Sequence, residues 1–408
     1  MKHVIYWVLP LVFGLFATAV SNPENPIEQL AEGTTKFTVN LLKNSLEDDT
    51  ENVVFSPFSL SLILSLLHQG ARNGSAEQLQ NLLGLPAETS KAAFASIVPN
   101  LQEEKTNVTL EWGSRIYIRN DFELLDDFKK ISTENFHSVT EQMSFSTPSK
   151  EEVARKINNW VGEVTHGRIN EVVEPAVFND DTVMLLVNAI YFKGIWNDTF
   201  DKEDTRMNTF HRKENDSFVT PFMKKEEEML GGEDEDLRLA WVELPYQDDQ
   251  FSMLLVLPNE RDGLQRVVNA LTVEHLKKMM TTSSTRHVKL ALPRFKISWK
   301  SSLQTSFEKM GLTDIFTDHA NLEGLSQTHK KLRVSELIHK ADIEIDEDGT
   351  TASAATYISI QMLSLLVHPD PLIFYADHPF LAFIIDKRHN IPIFAAKIKS
   401  PETVPVTE

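Results

Sequence analysis

Residues 341–364 read A-D-I-E-I-D-E-D-G-T-T-A-S-A-A-T-Y-I-S-I-Q-M-L-S. From Asp342 to Asp346 polar and apolar side chains alternate, the pattern of a strand with one buried face. Gly349 interrupts it, and afterwards every second residue (Thr350, Ala352, Ala354, Thr356, Ile358 and Ile360) is small or apolar. In an extended chain those side chains share one face. The segment therefore reads either as a strand packed on a core through its small face, or as an exposed loop behind an acidic turn. Glu344, Asp346, Asp348 and Gly349 also imitate the start of a calcium-binding loop. Such a loop needs a bidentate Glu at its twelfth position, which here is Ala355, so no metal site is expected.

Outward from this segment the pattern is mixed. Runs rich in Val, Ile, Phe and Tyr predict strands at 109–118, 182–192, 237–244, 251–257, 288–297, 380–385 and 393–398. The spacing of Ile27, Leu30, Phe37, Leu41 and Leu42, and of Leu60, Ile63, Leu64 and Leu67, predicts helices in the first half. Another is predicted over 150–165, where Val153, Ile157, Trp160, Val161 and Val164 form one stripe. No linker or repeat divides these elements, so one α+β domain with large sheets is expected. Residues 226–236 hold seven acids and no base, expected as a solvated loop or else a partner-facing patch. From Arg266 to Lys300, eight Lys/Arg face a single acid, Glu274.

The 408 residues include 59 acids and 40 bases, a formal charge of −19, and no cysteine. This excludes disulfide scaffolds, thiolate-zinc sites and iron–sulfur clusters, and disfavours nucleic acid or anionic membrane as partner. Lys2 and His3 lead into an apolar run from Val4 to Phe16 and then Ala17, Thr18 and Ala19, the order of a secretory signal peptide. Residues 1–21 are expected to be removed, after Ala19 or Ser21, leaving a single domain over 22–408. The run is short for a membrane span and contains Pro10. Sequons at Asn73, Asn107, Asn197 and Asn215 fit a secreted, extracellular glycoprotein. The nucleophile elbow G-x-S-x-G, H-E-x-x-H, and the phosphate-loop and dinucleotide glycine patterns are absent, so an enzyme is not expected.

Five separated stretches resemble the serpin family, and the resemblance covers essentially the whole mature sequence. They are N-V-V-F-S-P-F-S (52–59) leading to Gly70 and Ala71, V-N-A-I-Y-F-K-G-I-W (187–196), V-S-E-L-I-H-K-A (334–341), A-D-H-P-F-L (376–381), and a hinge at Glu347, Gly349, Thr350, Ala352, Ala354 and Ala355. The resemblance implies a serpin fold, about nine helices packed on three β-sheets, with an exposed reactive-centre loop over roughly 349–373. It implies a suicide substrate: a serine protease cleaves the loop, is held as a covalent acyl-enzyme, and is distorted as the loop enters the main sheet. The small, uncharged Thr350 fits the inhibitory branch rather than a non-inhibitory carrier or chaperone. Ser56, Ser59, Asn188 and His339 resemble the family's cluster beneath the opening sheet, and Trp196 the residue where the hinge enters.

Family spacing from Gly349 places the scissile bond at Leu363–Ser364, with Leu365 and Leu366 as alternates. Gly349 to Ile373 contains no Lys or Arg, so a chymotrypsin-like or elastase-like protease is expected, with Met362 in the adjacent subsite. The alternative is a heparin-assisted anticoagulant serpin acting on thrombin or factor Xa through other surfaces. Lys277, Lys278, Arg286, Lys289, Arg294 and Lys296 would then form a stripe for sulfated glycosaminoglycan, as activator. No other cofactor is expected, and the protein should be a monomer.

Overall fold

The computed structural model describes residues 25–45, 51–103, 107–146, 149–326, 328, 330–349 and 370–401. The signal segment and the loop positions Thr350, Ala352, Ala354, Ala355, Leu363, Ser364, Leu365 and Leu366 lie outside the described residues. The helices are α1 (Pro26–Asn44), α2 (Pro57–Gly70), α3 (Asn73–Leu83), α4 (Ala87–Gln102), α5 (Asp126–Phe136), α6 (Lys150–Val164), α7 (Leu264–Ala270), α8 (Val273–Thr281) and α9 (Gln304–Lys309). The strands are β1 (Val53–Phe55), β2 (Val108–Arg119), β3 (Val139–Met143), β4 (Met184–Gly194), β5 (Arg206–Lys213), β6 (Asp216–Asp234) and β7 (Leu239–Pro245). They continue as β8 (Phe251–Pro258), β9 (Thr285–Pro293), β10 (Phe295–Ser302), β11 (Glu336–Ile345), β12 (Leu372–Tyr375), β13 (Phe380–Asp386) and β14 (Ile391–Ile398). This is the expected α+β fold with its serpin-like element set.

A five-stranded sheet runs in the order β10-β11-β4-β2-β3, and a nine-stranded one in the order β1-β14-β13-β8-β7-β6-β9-β12, with β5 on β6. Hydrogen bonds thus join two of the three expected sheets through β6, which passes from β5 and β9 at one end to β7 at the other. The larger core lies between the sheets and the helical layer around α2, whose Leu60, Ile63, Leu64 and Leu67 are fully buried. A smaller cluster lies on the other face of the five-stranded sheet. There Ile157 and Val161 of α6 cover Tyr117 of β2, Leu185 and Val187 of β4, and Ile338 of β11. Ser149 caps α6 by accepting the Glu152 N–H at 3.2 Å, which fixes where the predicted stripe begins.

Two sequence expectations are corrected. The acids of 226–236 are not a loop: β6 continues through them to Asp234. Its exposed Glu226 and Glu228 stand opposite Lys289 and His287 of β9, so the charge that suggested solvated coil is offset across the ladder. The run 288–297 is two strands rather than one. They part at Arg294, whose N–H leaves both ladders to reach the Pro221 carbonyl at 3.0 Å.

Candidate functional site

At the centre of the five-stranded sheet β4 and β11 lie side by side and parallel, in register from Glu336 opposite Leu185 to Ile343 opposite Phe192. Parallel ladders are somewhat less stable per residue than antiparallel ones. One register pair in this seam is Asn188 opposite His339, both fully buried. Their side chains meet: His339 Nδ1 donates to Asn188 Oδ1 at 2.6 Å. The same oxygen accepts the Ser59 hydroxyl at 2.8 Å, and Asn188 Nδ2 donates to Ser114 Oγ at 2.7 Å and to the Ser59 carbonyl at 3.3 Å. His339 Nε2 accepts the Ser56 N–H at 3.1 Å, while Ser56 Oγ caps α2 through the Ser59 N–H at 3.1 Å. The structure brings Ser56, Ser59, Asn188 and His339 together. It adds Ser114, which the sequence reading missed because a lone Ser in β2 carries no signal of its own.

This network needs a neutral imidazole. Nε2 must accept a hydrogen bond from the Ser56 N–H, and burial pushes the His339 pKa down to about 3. In the unfolded chain the imidazole protonates near its ordinary value of about 6.5. Between those values the unfolded chain binds the extra proton, so this residue's contribution to stability is full above pH 6.5 and declines as pH falls toward 3. The urea midpoint should accordingly fall on acidification across that window. His339→Gln, which cannot titrate, should lose this component of the slope, and an unchanged slope would contradict the assignment.

At one end of the seam the chain leaves β11 through a turn in which the Gly349 N–H donates to the Asp346 carbonyl at 3.2 Å. Gly349 has φ +85°, in the left-handed region that favours glycine, and a Cβ there would meet backbone atoms of Gly194, Ile195 and Trp196. The segment after β4 clasps this turn. Trp196 donates from its indole to the Asp346 carbonyl at 2.9 Å and from its backbone to that of Asp348 at 3.2 Å; the Phe200 N–H reaches the Glu347 carbonyl at 2.9 Å. Trp196 is itself fixed by stacking on Tyr246, ring centres 4.5 Å apart.

Glu347 is buried, accepts the Thr205 hydroxyl at 2.5 Å and pairs with Arg294. Lys202 pairs with Asp348 at 2.6 Å. Breaking a buried pair such as Arg294–Glu347 typically costs about 3–5 kcal/mol. Sequence reasoning found Glu347, Gly349 and Trp196, and missed Thr205 and the true role of Arg294.

Arg294 is therefore a correction to the basic stripe: it lies inside the hinge, not on a polysaccharide surface. Most of the remaining candidates are spent on carboxylates. Lys277 pairs with Glu32 at 3.2 Å, Arg286 with Glu233 at 3.7 Å, Lys289 with Glu226 at 3.4 Å and Lys296 with Glu344 at 3.3 Å; Lys278 is exposed. The structure does not unite the six as one open stripe. Of the sequons, Asn73, Asn197 and Asn215 are exposed and Asn107 is partly buried. No helix among the described residues is long and apolar enough to cross a membrane.

Comparison with known proteins agrees with this geometry. The family model described as Serpin (serine protease inhibitor) matches residues 32–401. Serpin B8 of Homo sapiens is 32% identical over 380 residues, covering 92% of this chain and 100% of that protein. Leukocyte elastase inhibitor of Bos taurus is 31% identical over 382 residues, covering 92% of this chain and 100% of that protein. The crystal structure of Manduca sexta serpin-12 superposes with a TM-score of 0.81 at 28% identity, covering 90% of this chain and 98% of that one. The chain belongs to the serpin family.

Proposed function

We propose that this chain is a secreted, monomeric suicide-substrate inhibitor of a chymotrypsin-like or elastase-like serine protease. The observation that carries the reading is the parallel β4–β11 seam, closed by the His339–Asn188 bond and ending at the Gly349 turn. A chain that reverses at Gly349 and enters this seam runs antiparallel to both strands, so one parallel ladder is replaced by two antiparallel ones. Thr350 to Leu363 supplies fourteen residues, about 46 Å of strand at ~3.3 Å per residue, enough to line β4 from end to end. The protease serine would attack the Leu363 carbonyl and expel the Ser364 amine, and insertion would carry the resulting ester away before water hydrolyses it.

The inhibitory relatives support protease inhibition as the activity, and leucine at 363 supports the target class. Secretion rests on residues 1–21, and the exposed Asn73, Asn197 and Asn215 support it. Incubation with chymotrypsin and with leukocyte elastase should give an SDS-stable complex, and mass spectrometry of the released fragment should begin at Ser364. Absence of such a complex with either protease would refute the proposal.

A further inference from the structure

The edge of the five-stranded sheet is only partly covered. β3 pairs with β2 from Arg115 to Arg119, whereas β4 accompanies the other side of β2 from Val108 to Ile118. The boundary is marked by Ser138, whose hydroxyl donates to the Ser114 carbonyl at 2.6 Å. Residues 108–113 therefore have no strand beside them among the described residues, and every second one turns its N–H and C=O toward the open side. A cavity of about 650 Å³ follows this edge, between the C-terminal ends of α4 and α6.

The edge has two unlike faces. Leu110 and Trp112 pack into the main core, while Glu111, between them, points to the other face. One carboxylate oxygen of Glu111 meets His166 Nδ1 at 2.7 Å. The other is buried with no hydrogen-bond partner among the described residues, an arrangement that is costly for a charged group. Glu103 and Glu163 line the same cavity, so with Glu111 its described lining carries three carboxylates and no Lys or Arg.

We propose that this open edge takes up an extended, basic segment of another protein as an added strand parallel or antiparallel to β2. Backbone amides would complete the ladder, a Lys or Arg opposite Glu111 would supply the missing donor, and its two neighbours would lie over Leu110 and Trp112. The recognised pattern is thus apolar–basic–apolar. It is independent of the bait loop, because the edge lies on the far side of β2 from the β4–β11 seam.

The probe is the synthetic peptide acetyl-Ser-Thr-Val-Lys-Val-Thr-Ser-amide, titrated into the full chain and followed by calorimetry and amide hydrogen exchange. Saturable binding with protection confined to amides of 108–113 is expected. Affinity should drop at least tenfold with Glu111→Gln, checked for an unchanged melting temperature, and equally when the peptide lysine is replaced by glutamate against the native chain. A peptide with the same side chains but N-methylated at alternate amides should not bind. No saturable binding, protection elsewhere, or equal binding of the methylated peptide would overturn the proposal. So would concentration-dependent self-association through this edge, which would make a second copy the occupant.

Discussion

Thr350→Arg is expected to turn the inhibitor into a substrate: the loop is still cut, but the stoichiometry of inhibition rises more than about tenfold. Thr350 follows the Gly349 turn and opens the small-residue face that continues through Ala352 and Ala354. A loop entering between β4 and β11 must bury that face first, beneath a turn clasped by Trp196, Phe200 and Arg294. Burying an unpaired guanidinium there would cost several kcal/mol. If about 3 kcal/mol of that cost falls on the barrier, insertion slows roughly a hundredfold, and hydrolysis of the acyl-enzyme overtakes it. The cleavage step should be unaffected, since the proposed scissile bond, Leu363–Ser364, lies many residues downstream. Titration of protease activity against inhibitor, with gel analysis of complex and cleaved chain, separates the two steps. Undiminished complex formation by the variant would show that Thr350 does not lead an insertion.

Leu363→Arg should redirect the inhibitor. Trypsin-like pockets hold a carboxylate at their base, which the native Gly349-to-Ile373 segment, with no Lys or Arg, cannot engage. A buried, hydrogen-bonded charge pair changes affinity by roughly 2–5 kcal/mol. Association with trypsin should therefore rise about a thousandfold, and association with chymotrypsin should fall by a comparable order. Stopped-time assays with both proteases measure this. An unchanged preference would move the bait position to Leu365 or Leu366.

Much of this was legible in the sequence because the decisive residues sit in contiguous stretches. Ser56 and Ser59 fall in one motif, Asn188 and Trp196 in another, His339 in a third, and the fold closes three separated stretches onto one seam. Periodicity located α1, α2 and α6, although only α6 buries a narrow stripe, while α1 buries a broad face and α2 is buried on nearly every side. It failed at β6. There the exposed face shifts from Ser217 and Val219 to Lys224, Glu226 and Glu228 as the strand passes between neighbours, so no single alternation survives. It failed also at Arg294. A lone arginine between two apolar runs looks like a surface cation, and only the tertiary approach of Glu347 makes it a buried hinge contact. The open edge of β2 was hidden for a related reason: the length of β3, not the sequence of β2, leaves it bare.

The central claim is that the β4–β11 seam is a vacancy-in-waiting for the loop that follows Gly349. The most direct measurement compares the melting temperature of the intact chain with that of the chain cut once at Leu363–Ser364. Filling the seam should raise the midpoint by more than about 10 °C, on a scale of roughly 1–2 °C per kcal/mol for a chain of this size. A cut chain that melts at or below the intact midpoint would contradict the account.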